Sequence, residues 1–186
     1  MILYGVIRAS INVQSSNMTK LFMGVGLAVA LSGCANYQPA TPVDYTGPTA
    51  TIKDSVNTVS SSKADFYYVE QVDGANIRNS RINTLSANQG RGMQMAAAMV
   101  DRQVPARPIK LSVTGRTEYA APILALTGTV YQVKGVVEFT PEANKSYTVR
   151  GVLGDDASVW VEEDESKAVV GAKVEKHGAK LGVFEK

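Results

Sequence analysis

The chain of 186 residues has one cysteine, one histidine and only 7% aromatic residues. A single cysteine cannot close an internal disulfide, which excludes a small secreted scaffold held by staples. Zinc sites built from cysteine and histidine lack their ligands. A hydrolytic triad needs a base beside its nucleophile, and the only histidine, His177, lies in a charged C-terminal stretch where solvent exposure is expected. There is no excess of either charge. Of 19 basic residues, Arg8 and Lys20 precede Cys34, where there is no acidic residue, leaving 17 basic against 17 acidic groups in the remainder. Nucleic-acid binders normally carry a clear basic excess, so no nucleic-acid partner is expected. What is present, 45% hydrophobic and 19% charged residues, fits one folded domain plus a targeting segment.

The targeting segment is read from Met18. Lys20 gives a short positive start, the run from Leu21 to Ala30 is apolar, and small residues follow. This is the composition of a secretory signal, and the run is shorter than the ~20 apolar residues needed to span a bilayer. Residues 1–17 fit no signal, because Arg8 interrupts their apolar part and residues 12–17 are polar, so they read as an extension ahead of a start at Met18. Leu31-Ser32-Gly33-Cys34 resembles the lipobox of bacterial lipoproteins. The resemblance implies a lipid on the Cys34 sulfur, cleavage before Cys34 and a mature chain that begins there; residues 18–33 are then the signal peptide. Alanine rather than aspartate at position 35 implies retention on the outer membrane in the sorting rule of that family. Two or more acyl chains anchor stably where one is marginal. The membrane is thus the expected partner, through lipid, with an envelope protein or peptidoglycan as a second.

After Cys34, Pro39, Pro42 and Pro48 with small polar residues make residues 34–48 read as a flexible, extended tether. Beyond it lies mostly strand signal. Tyr131, Val133, Gly135, Val137 and Phe139 alternate with Gln132, Lys134, Val136 and Glu138; Tyr147, Val149, Gly151 and Leu153 repeat the pattern. The turn-rich residues 140–145 between them have hairpin length. Ile109, Leu111 and Val113 mark another strand, entered from Pro105 and Pro108. Phe66 to Val72, apolar on both faces, reads as a central strand that Asp73-Gly74 ends. Val159-Trp160-Val161 and Ala168-Val169-Val170 read as a late hairpin, and Ala50-Thr51-Ile52 as a first edge strand. Met93 to Val100 fits either two helical turns or a strand, and Pro122 disfavours a continuous helix over Glu118 to Leu126. Short strands separated by turns predict an all-β, antiparallel β-sandwich over residues 49–174, with residues 175–186 as a frayed charged tail.

The domain also resembles small envelope lipoproteins with a transthyretin-like or PEGA-like sandwich. The resemblance is carried by Phe66 to Gly74, Val133 to Phe139, Tyr147 to Gly151 and Ser158-Val159-Trp160-Val161-Glu162. It implies a non-catalytic module and carries over no functional residues. The acids Asp155, Asp156, Glu162, Glu163, Asp164 and Glu165 are candidates for a carboxylate pair or a calcium site, but their spacing matches no EF-hand, and they read as solvated loops flanking Trp160. Asn88-Gln89-Gly90-Arg91-Gly92 lacks the lysine of a phosphate loop and reads as a tight turn. Tyr119 and Trp160 are the candidate ligand-binding aromatics; the other strand aromatics belong to the core. No catalytic residue, metal or cofactor is expected besides lipid on Cys34. The expected function is a lipid-anchored, non-enzymatic envelope component facing the periplasm, structural, assembly or binding, with a glycan- or peptidoglycan-binding module that uses an aromatic face and the acidic loops as the alternative.

Overall fold

Strands carrying one apolar and one polar face must pair edge to edge and stack face to face to bury what is apolar. The computed structural model describes residues 37–186; the proposed extension, the signal peptide, Cys34 and Ala35 lie outside the described residues. In chain order the elements are β1 (Thr49–Lys53), β2 (Ser55–Ser60), β3 (Lys63–Val72), β4 (Ala75–Asn76), α1 (Ser80–Ala87), β5 (Asp101–Pro105), β6 (Ile109–Tyr119), α2 (Pro122–Thr127), β7 (Gln132–Phe139), β8 (Ser146–Val152), β9 (Asp156–Glu163) and β10 (Val169–His177). They form an all-β sandwich. One sheet has the order β10-β9-β8-β1-β5, the other β2-β3-β6-β7 with β4 folded onto β3. Every pairing is antiparallel except β1 with β8, which runs parallel.

The core lies between the sheets, where the alternating residues of the sequence meet: Val133 and Val137 of β7, Ile109, Leu111 and Val113 of β6, and Val149, Val159 and Val161 from the opposite sheet. β3 is interior, as its two apolar faces require, and Asp73 and Gly74 turn it back into β4 with positive φ at both positions. At one edge β10 lies against β7. A Cβ on Gly135 would stand 2.5 Å from Val174, so only glycine allows the approach.

Several expectations need correction. Residues 140–145 do not close a hairpin: β7 and β8 belong to different sheets, and the turn bonds to β1 through the Asn144 amide and the Thr49 carbonyl. Alternation reports which face of a strand is buried, not which strand is its neighbour. β1 is interior rather than an edge, because β5 and β8 pair with it from both sides over long sequence separations. Residues 175–181 are docked rather than frayed. The Gln132 amide donates to the Ala179 carbonyl, the Leu181 amide to the Val130 carbonyl, and Ala179 is fully buried. From Tyr37 onward the tether lies on the sandwich: the Gln38 amide donates to the Asn76 carbonyl, the Thr41 hydroxyl to the Gln103 carbonyl, and Ala40 packs on the core.

Helix α1 is absent from the sequence reading because its buried side is polar. The Asn79 side chain caps it by accepting the Ile82 amide at 3.0 Å. Ser80, Thr84 and Asn88, four residues apart, then face residues 96–100, which are extended and belong to neither helix nor sheet. The Ser80 hydroxyl accepts the Val100 amide at 2.8 Å, the Thr84 hydroxyl the Ala98 amide at 2.8 Å, and the Asn88 carbonyl oxygen the Ala96 amide at 2.9 Å. Every second amide of the extended segment is thus satisfied by a helical side chain in place of a neighbouring strand.

A candidate ligand cleft between two short helices

Register places Thr114, Arg116 and Glu118 of β6 opposite Tyr68, Phe66 and Ala64 of β3, on the face of the sheet turned away from the main core. Ala64, Phe66 and Tyr68 form a second apolar cluster there, covered by Val56 and Met95. Beside this cover, between α1 and α2, a cleft of about 600 Å³ opens. Pro122 begins α2 at a position where its missing amide costs nothing, so the residue that disfavours a continuous helix over Glu118 to Leu126 starts a short one.

The polar groups of the cleft are built from both helices and the strand. The Arg81 Nε, from the first turns of α1, and the Arg116 Nε both donate to the same oxygen of Glu118, the latter at 3.0 Å. Side-chain exposures are 29%, 15% and 11% for Arg81, Arg116 and Glu118, so all three charges are partly withdrawn from water. Burial works against the charge on Arg81, but the adjacent Glu118 outweighs it and raises the Arg81 pKa. Arg116 also donates to Gln132. Lys186 Nζ donates to the Gly128 and Leu126 carbonyls at the end of α2, where a cation complements the helix dipole. The walls are apolar: Leu85 and Met95 on one side, Ala125, Leu126 and Val130 on the other.

Tyr119 lines this cleft, half-buried, with its hydroxyl donating to the Thr129 carbonyl at 3.0 Å and the Lys63 amine 5.6 Å from its ring centre. Trp160 lies in the other sheet. It faces outward opposite Arg150, with the Lys173 amine 5.1 Å from its ring. The two candidate aromatics therefore share no surface. Tyr67, Tyr68 and Tyr147 are buried, as expected of strand aromatics. The turn through Asn88, Gly90 and Gly92 borders the cleft, with positive φ at both glycines.

The acidic loops are also reassigned. Glu163 is buried, and its two oxygens accept the Glu165 amide at 3.0 Å and the Ser166 amide at 2.8 Å, closing the β9–β10 turn. Asp164 accepts the Thr148 hydroxyl at 2.6 Å and the Lys53 amine at 3.0 Å. These two carboxylates fasten a turn rather than face water. Asp156 is exposed and meets His177 Nδ1 at 2.6 Å, which raises the His177 pKa. Among the described residues, no three histidine, cysteine or acidic side chains converge as metal ligands would.

The Glu163 carboxyl is held at about 2, against an ordinary 4.5, by hydrogen bonds from Ser166 and the Glu165 amide. Asp164 is lowered too: burial opposes this, but the Thr148 and Lys53 hydrogen bonds prevail. A depressed carboxyl pKa stabilises the fold fully above the unfolded value and loses that contribution as pH falls through the folded one. Glu163→Gln is accordingly expected to lower stability near neutral pH and to flatten its decline between pH 4.5 and 2. Urea midpoints across that window check this. A decline as steep as that of the wild type would show that another group titrates there.

Arg81, Arg116 and Glu118 escaped the sequence reading. The available signal was a strand carrying Arg116 and Glu118 on one face, next to a capped helix opening with Arg81, but only folding shows that these meet. No family model matches the chain, and neither does any curated protein or any solved structure.

Proposed function

We propose that this chain is a lipid-anchored, non-enzymatic component of a bacterial envelope, held on the outer membrane through Cys34 and acting by binding. The anchor rests on Leu31-Ser32-Gly33-Cys34 and the signal-like segment before it. The binding role is carried by the cleft between α1 and α2, whose charged side chains are fixed to one another and whose walls are apolar. His177, the only histidine, stands 89% exposed beside Asp156 on β10, away from that cleft. The peptidoglycan-binding alternative drew on an aromatic face and the acidic loops; Tyr119 and Trp160 stand on different sheets, and Glu163 and Asp164 are engaged in a turn, while Asp155 and Glu165 stay exposed.

The docked segment from Tyr37 also changes how such an anchor would hold the domain. Cys34 precedes Tyr37 by three residues, a reach of about 10 Å at full extension. The sandwich would ride against the headgroups instead of being lifted from them. Cys34→Ser is expected to abolish incorporation of radiolabelled palmitate and to release the protein from the membrane fraction or leave its precursor uncleaved. A variant that still labels and pellets as the wild type does would overturn the lipoprotein reading.

A further inference from the structure

The charges of the cleft do not balance. Arg81 and Arg116 share one oxygen of one carboxylate, Glu118, and the Lys186 amine lies at the same cleft bonded only to carbonyls, so cationic side chains outnumber carboxylate side chains in its lining at a site partly withdrawn from water. Glu70, which also acts on Arg81, is already paired with Lys134. Of the Arg81 guanidinium only Nε is engaged; its two terminal nitrogens donate to none of the described residues, and neither is buried. Arg116 commits Nε and one terminal nitrogen to Glu118 and Gln132 and keeps the other. Guanidinium donors left open beside apolar walls suit a planar or tetrahedral anion, whose oxygens accept paired N–H groups.

The walls say what must carry that anion. Leu85 and Leu126 are 38% and 53% exposed, one from each helix, and both line the cleft, so an apolar group seated there would cover them. The volume, about 600 Å³, falls in the range of small-molecule sites, about 300–1,000 Å³. A cation would meet the excess positive charge, and a sugar would find the Lys63 amine over the Tyr119 ring face it would stack on.

We infer that the cleft between α1 and α2 binds a small amphipathic anion, a carboxylate or phosphate on an apolar body, with Arg81 and Arg116 taking the anionic group and Leu85 and Leu126 the body. This rests on the cleft being the working surface of the domain and is independent of lipid on Cys34.

The test is calorimetric titration of the full-length protein in non-ionic detergent, with protein-free micelles as the blank. Four probes of equal chain length are used: nonanoate, octyl phosphate, octyltrimethylammonium and octanol. At least one anion is expected to saturate at one per chain and to bind about tenfold or more tightly than the cation and the alcohol, as a charge-assisted contact should. Which anion is tighter distinguishes a carboxylate source from a phosphate source. Arg81→Gln should weaken anion binding about tenfold or more. Because Arg81 also holds Glu118, a pair of variants at an exposed wall position gives the independent reading: Leu126→Glu and Leu126→Lys both lose the same apolar contact, and the lysine variant should bind the anion about tenfold or more tightly than the glutamate variant. Octanol or the cation binding as well as the anions would overturn the inference while leaving a binding cleft. So would equal anion binding by the two Leu126 variants. Loss of palmitate labelling with anion binding intact would instead remove the anchor and keep the site.

Discussion

Asp54→Ala is expected to destabilise the protein by about 3–5 kcal/mol, the cost of removing one partner from a buried ion pair. Asp54 is the single residue between β1 and β2, at the point where the chain leaves one sheet for the other. Its oxygens each accept a terminal nitrogen of Arg102 on β5 at 2.7 Å, in the parallel fork geometry that makes such pairs strong. One oxygen also takes the Val69 amide, next to the irregularity in β3, at 3.1 Å; the other takes the Ser80 amide at the start of α1 at 2.8 Å. Side-chain exposures are 6% for Arg102 and 0% for Asp54. One carboxylate therefore ties together both sheets and the helix that covers one of them.

Alanine would leave a buried guanidinium whose Nε already lacks a partner, plus two buried amides. The isosteric change Asp54→Asn would not restore the site, since the side-chain amide nitrogen would turn donors toward donors. The double variant Asp54→Ala with Arg102→Met removes the stranded charge and should be less destabilised than the two single losses summed, the signature of direct coupling. Urea melts followed by the fluorescence of Trp160, the only tryptophan, measure all three. An Asp54→Ala protein within about 1 kcal/mol of wild type would show that water or a local shift replaces the pair.

Tyr147→Ala should cost about 3–5 kcal/mol, the usual loss on deleting a buried aromatic side chain. The residue is 2% exposed on β8. Its ring meets Phe139 of the other sheet edge-on, with centres 5.2 Å apart, and its hydroxyl accepts the Glu142 amide at 2.9 Å. The same side chain thus joins the two sheets and holds the turn by which the chain crosses between them. Tyr147→Phe separates the two contributions and should cost only about 1 kcal/mol, because the exposed Glu142 can turn its amide to water. Phe139→Ala should fall between, since Phe139 is only half-buried. Equal losses in Tyr147→Ala and Tyr147→Phe would place the effect in the turn rather than in the core.

The contrast between Tyr147 and Asp54 shows what could be read early. Tyr147 and Phe139 stood on apolar faces by simple alternation, and both pack in the core as that pattern requires. Asp54 gave no signal. A lone aspartate between a threonine-rich strand and a serine reads as a turn, and its importance comes from Arg102, forty-eight residues later, arriving beside it. Glu163 and Asp164 misled for the same reason, since consecutive acids look solvated until the Glu165 and Ser166 amides and Lys53 are brought to them. Helix α1 was hidden because periodicity searches for apolar residues, and its inward positions are Ser80 and Thr84, followed by Asn88 at its C-cap.

By itself the sequence determined the sandwich class, the faces of most strands, the Asp73-Gly74 turn and the late hairpin of β9 and β10, because hydrophobic alternation and turn chemistry act between residues close in the chain. Only the tertiary structure decided which strands are neighbours, that β1 is interior and runs parallel to β8, that the segments before β1 and after β10 are docked, and that Arg81, Arg116 and Glu118 meet beside an apolar cleft. Those outcomes depend on pairings between residues far apart in sequence, whose loop-closure cost is offset only when the whole core closes around them.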